Sequence, residues 1–68
     1  MKKVENVRNR IKIARLKKGF TQNYVGNKLG NGQKAYNRME TGKSQLKVET
    51  LLKLSVILDV DITYFLKK

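Results

Sequence analysis

Proline is absent from this chain of 68 residues, so glycine alone supplies the sharp interruptions. Gly19, Gly30, Gly32 and Gly42 cut the sequence into pieces of helical length. This spacing predicts five short helices. The first runs from Val4 to Lys18, with Val7, Ile11 and Ala14 at helical spacing, Lys17 and Lys18 at the negative end of the dipole and Gly19 as a left-handed cap. Thr21 caps a second helix, Gln22 to Leu29, which buries Val25 and Leu29. Asn31-Gly32 forms a turn, with Gly32 as N-cap of a third helix from Gln33 to Thr41. A fourth helix covers Val48 to Leu58, and Asp61 caps a fifth, Ile62 to Leu66, ahead of a Lys67-Lys68 tail. The expected architecture is one all-α domain over residues 1–68, without repeat, linker or low-complexity segment.

Size and composition narrow the functions open to such a chain. A domain this small buries only about 60% of the surface its unfolded chain exposes, which leaves no room for a deep substrate cavity. With no Cys and no His, it lacks disulfides, thiol chemistry and the usual zinc ligands, and no cofactor is expected. Asp59 and Asp61 are the closest carboxylate pair, and helix capping accounts for Asp61, so no catalytic residue is assigned. Charges interrupt the sequence after Met1, leaving no apolar signal segment, and no apolar run is long enough to span a membrane. A cytoplasmic, nucleoid-associated protein is expected. Sixteen Lys and Arg oppose five Asp and Glu, for a net charge of +11, and eight cations stand against Glu5 alone in the first 18 residues. That balance suits a polyanionic partner, although only one side of a helix can face it.

The stretch from Gln22 to Met39 is the most informative. Two short helices separated by Gly30-Asn31-Gly32 must cross steeply at close range, and Gly26 fits as the small residue at the crossing, the alternative being a tolerated surface glycine. On a helical wheel Gln33, Asn37, Thr41, Lys34 and Arg38 share one arc of about 140°. Ala35, Tyr36 and Met39, with Glu40 at the edge, form the opposite, core-facing arc. Amides and cations are the side chains that read base edges in the major groove: Arg or Lys to guanine, Asn or Gln to adenine. A plain solvated stripe is the competing reading of the same wheel, and the steep turn and the +11 charge favour DNA.

The ordered set Arg10-Ile11, Lys18-Gly19-Phe20-Thr21-Gln22, Val25-Gly26, Leu29-Gly30, Gln33, Arg38-Met39-Glu40, Gly42, Val48-Glu49-Thr50-Leu51 and Leu58-Asp59-Val60 resembles the phage-repressor and Cro-type (Xre-type) helix-turn-helix family. The resemblance covers nearly the whole chain and implies a lambda-repressor-like fold, with the second and third helices forming the helix-turn-helix. It implies that Gln22 contacts a phosphate and props the recognition helix, that Gln33 and Lys34 read bases, and that Arg38 touches a base or phosphate one turn on. Asn37 joins the base-reading set from the wheel. The resemblance also places Lys43 on a phosphate, and Thr41 and Lys28 are added to the phosphate-binding set. Arg15 and Glu40 match a family ion pair tying the first helix to the third, with a phosphate-facing Arg15 as the alternative.

Four positions depart from the family pattern. Gly26 stands where alanine is usual, Tyr36 where Ile or Val is usual, Gly32 where Ser or Thr is common, and Leu46-Lys47 where Pro-Ser is common. The Tyr36 phenol must therefore find a partner or reach water, and the fourth helix lacks an obvious cap.

A single copy covers about one half-site, and helix-turn-helix proteins commonly pair. Leu52 and Val56, at i and i+4 on the fourth helix, fall where the family shows outward polar residues, and Tyr64 and Phe65 lie nearby; together they form the expected homodimer surface. Extra core contact for Phe65 and scattered surface apolar residues are the alternative. The expected function is a sequence-specific regulator binding double-stranded DNA as a homodimer on a palindromic operator. A repressor is favoured over an activator because no second domain is evident. The rival is a protein-interaction module of the same fold, an antitoxin-like partner with little DNA affinity. A membrane-active amphipathic peptide is disfavoured by the fixed turn.

Overall fold

The computed structural model describes residues 3–66, with side chains from residue 6 onward. Met1, Lys2 and the Lys67-Lys68 tail, part of the expected basic surface, lie outside the described residues, as do the side chains of Lys3 and Glu5. Helix α1 spans Lys3–Lys17, α2 Gln22–Leu29, α3 Gly32–Thr41, α4 Val48–Ile57 and α5 Ile62–Leu66. Among the described residues there is no strand, and the fold is all-α.

Local chemistry explains most boundaries. The Thr21 hydroxyl accepts the Tyr24 N–H at 3.0 Å at the start of α2. Gly30 ends that helix at φ +83°, and its N–H reaches the Asn27 carbonyl at 3.0 Å. Asp61 accepts the Thr63 N–H at 2.9 Å at the head of α5. Lys47 precedes α4 without a side-chain cap, as Leu46-Lys47 led us to expect.

The start of α3 differs from the sequence expectation. Asn31, not Gly32, occupies the N-cap position, and Gly32 is the first residue of the helix at φ +85°. The cause is the closure of α2: the Asn31 N–H is drawn to the Gly26 carbonyl at 3.1 Å, so the chain enters α3 one residue early. Helix α4 likewise stops at Ile57 rather than Leu58, which serves as its C-cap.

Ile11, Val25, Tyr36, Leu54, Leu58 and Phe65 are the largest fully buried side chains and draw on all five helices or their ends. Each such burial stabilises by about 1.5–3 kcal/mol. Val7, Ala14, Met39 and Leu51 complete the same cluster. Helix α5 packs on α1, α4 supports α2 and α5, and α3 lies against both α2 and α1. Helix α3 thus packs chiefly on α2, with α1 as its second support. Ala35, placed on the core arc by the wheel, is exposed, because the inward arc narrows to Tyr36, Met39 and Glu40.

Candidate nucleic-acid interface

The crossing of α2 and α3 sets the position of the surface helix. A Cβ at Gly26 would lie 2.4 Å from the Gly32 carbonyl oxygen and 2.7 Å from its carbon, so only hydrogen fits between the two backbones. Gly26 is buried, which removes the surface-glycine reading. At this separation α3 presents Gln33, Lys34, Asn37, Arg38 and Thr41, all exposed. Gln22, Gln33, Lys34 and Asn37 line an open depression of about 380 Å³ where the two helices meet.

Beneath that edge lies a cluster of polar side chains. The Arg15 guanidinium donates from Nε to Glu40 Oε2 at 2.9 Å and from Nη2 to Oε1 at 3.2 Å. Its third nitrogen, Nη1, donates to the Phe20 carbonyl at 2.9 Å. Tyr36 donates its hydroxyl to Glu40 Oε2 at 2.6 Å, and Gln22 Nε2 donates to Oε1 at 2.9 Å. The carboxylate therefore accepts four hydrogen bonds. Burial alone pushes its pKa up, but the bonds from Arg15, Tyr36 and Gln22 outweigh it and leave Glu40 below the ordinary glutamate value. Burial, reinforced by the bond to Glu40, raises the Tyr36 phenol well above its usual value. The bond to Glu40 raises Arg15 in turn.

Gln22 connects this cluster to the surface. Its Oε1 accepts Asn37 Nδ2 at 3.0 Å, so one amide links the buried carboxylate to the exposed edge of α3. The Gln22 and Tyr36 bonds to Glu40 escape sequence reasoning. Only the i, i+4 spacing of Tyr36 and Glu40 hints at the second.

The remaining cations and hydroxyls flank α3. The Lys43 N–H closes the helix by donating to the Arg38 carbonyl at 2.7 Å, and Arg38 Nη2 lies 3.4 Å from the Lys43 carbonyl. Arg38 and Lys43 are thereby held at the same end. The Thr41 hydroxyl donates back to the Asn37 carbonyl at 2.8 Å. Lys28 sits apart from the α3 edge, with its Nζ 5.6 Å from the Tyr24 ring centre. Arg8 of α1 donates to the Met39 carbonyl and so ties the end of α3 to α1.

The expected partner surface divides. Leu52 and Val56 are exposed by 52% and 79%, and Val48, one turn earlier, extends the stripe at 70%. Tyr64 is half-buried, with the Arg10 guanidinium 5.4 Å above its ring. Phe65 must be removed from this surface: it is fully buried and packs edge-on to Tyr64 inside the core. Among the described residues, no group of acidic or metal-ligating side chains could hold a metal ion, and no helix is long and apolar enough to cross a membrane.

Two short helices crossing closely over a tight turn, the second with an exposed polar face, form a helix-turn-helix. The family described as helix-turn-helix matches residues 11–65, and the chain belongs to it, in its Cro/Xre-type branch. The chain is similar to the SPbeta prophage-derived HTH-type transcriptional regulator YonR of Bacillus subtilis (strain 168), with 38% identity over 85% of this chain and 54% of that protein. It is also similar to the HTH-type transcriptional regulator YqaE of the same organism, with 39% identity over 84% of this chain and 49% of that protein. The chain thus spans about half the length of these curated relatives. No solved structure gives a significant match.

Proposed function

We propose that the chain is a sequence-specific double-stranded DNA-binding transcriptional regulator that inserts α3 into the major groove. The observation that carries this reading is the exposed, anion-free edge formed by Gln33, Lys34, Asn37 and Arg38 on a helix held from behind by α1 and α2. A major groove about 12 Å wide admits such a helix, and these side chains match the donor and acceptor patterns of guanine and adenine. Gln22, Thr41 and Lys43 border the same edge and would take phosphates; Lys28, engaged with Tyr24, has the weaker geometric claim. The names of the two relatives, both transcriptional regulators, point the same way.

In this reading the whole chain acts as one DNA-binding unit, and two copies bind a palindromic operator. The Val48, Leu52 and Val56 stripe supports pairing through α4, with Tyr64 at its margin. Repression is the favoured mode because occupying an operator blocks competing proteins without further machinery. Selection of bound duplexes from a random pool tests this function. Enrichment of a two-fold symmetric motif is expected. A protein that binds no duplex at low or moderate salt would instead be an interaction module of the same fold.

A further inference from the structure

The hydrogen bonds beneath α3 have a direction. A carboxylate can only accept, so Glu40 obliges Gln22 to turn its Nε2 inward, 2.9 Å from Oε1. Gln22 Oε1 is then left facing α3, where it can only accept. Asn37 must answer with Nδ2, at 3.0 Å. Both carboxamides are thus oriented from a buried anion whose own position is fixed by Arg15 on one helix and by Tyr36 on another. What remains outward on Asn37 is the Oδ1 acceptor and the second Nδ2 hydrogen. That acceptor and donor pair matches the N6 and N7 edge of adenine.

We infer that Tyr36 and Glu40 are positioning residues that, through Gln22, hold Asn37 in the single amide orientation suited to an adenine, so that one base-pair preference is set from inside the protein. Resting on the DNA-binding reading above, the inference adds a specificity determinant that never touches DNA. Tyr36 carries the part peculiar to this chain: without its hydroxyl, Glu40 Oε2 keeps only the Arg15 Nε bond. The carboxylate then keeps both Arg15 bonds but loses the one that ties it to the ring one turn away on its own helix, so Oε1 presents Gln22 with a less rigid partner. The packing of the ring needs no hydroxyl, so a phenylalanine can fill the same space.

Two measurements on the full chain test the inference. Affinities for every single-base-pair variant of the selected site are compared among wild type, Asn37→Ala, Tyr36→Phe and the double variant. Asn37→Ala and Tyr36→Phe should erode preference for an A·T pair at the same position, Tyr36→Phe by about three- to tenfold, the range of one net hydrogen bond. The double variant should be no less selective than Asn37→Ala alone. A Tyr36→Phe variant that weakens all sites equally, or changes none, overturns the inference while leaving the DNA-binding reading intact. Failure of the wild type to prefer any site overturns both. The second measurement needs no DNA: side-chain amide resonances of Gln22 and Asn37 in the free protein. Tyr36→Phe should shift both and speed their proton exchange, whereas unchanged Asn37 signals would refute the relay.

Discussion

Glu40 has four donors around one carboxylate, an arrangement that makes the fold sensitive to acid. Its pKa is lowered in the folded protein from an ordinary 4.5, so its stabilising effect is complete above that pH and declines as the pH falls toward the folded value. Tyr36 gives the opposite slope. Its raised pKa means the buried phenol stays neutral while the unfolded one ionises above its ordinary 10.0, so stability falls as the pH climbs past that value. Denaturation across pH should show both declines, and Tyr36→Phe should flatten the alkaline one. On the exposed edge, Gln33→Ala, Lys34→Ala or Arg38→Ala should each cost about 1–3 kcal/mol on the preferred site and relax sequence choice. Lys43→Ala should weaken all sequences alike and reduce the salt slope by about one. Competition binding against matched and mismatched duplexes separates the two behaviours. The outward edge of α3 was legible because helical spacing alone places Gln33, Lys34, Asn37 and Arg38 together. The link through Gln22 was not, since it joins residues 15 and 18 positions apart, a proximity that only the folded crossing creates.

At the scale of helices, glycine made the boundaries readable, and the same residue type produced the main misreading. Gly30 and Gly42 end α2 and α3 where their left-handed preference predicts. Gly32, read as a cap, is the first helical residue because the closing hydrogen bond of α2, from the Asn31 N–H to the Gly26 carbonyl, comes immediately before it. Alanine at position 26 would gain about 1 kcal/mol in helix propensity, yet its methyl group meets backbone rather than a yielding side chain. Gly26→Ala should therefore be destabilising by a net ~1–3 kcal/mol, the scale of overpacking. Each kcal/mol lowers Tm by about 4–8 °C in a domain of this size. A Tm equal to or above that of wild type would show that the crossing can open without cost.

For the whole molecule, the proposed pairing and DNA binding rest on the exposed stripe on α4 and the excess of cations. Leu52→Glu should convert a dimer to a monomer in sedimentation and weaken operator binding more than binding to a single half-site. If sedimentation does not change, the pairing surface is elsewhere. The charge has a separate effect. A net +11 on a body only 28 × 24 × 20 Å across repels itself, and added electrolyte relieves that repulsion. The same electrolyte competes with the protein for phosphates. On the proposed function, ionic strength should therefore drive folding and DNA affinity in opposite directions, with the protein sturdiest in the brine where it grips DNA least. On the proposed DNA-binding function, a duplex in dilute buffer would supply the missing anions and so raise the thermal stability of the protein bound to it.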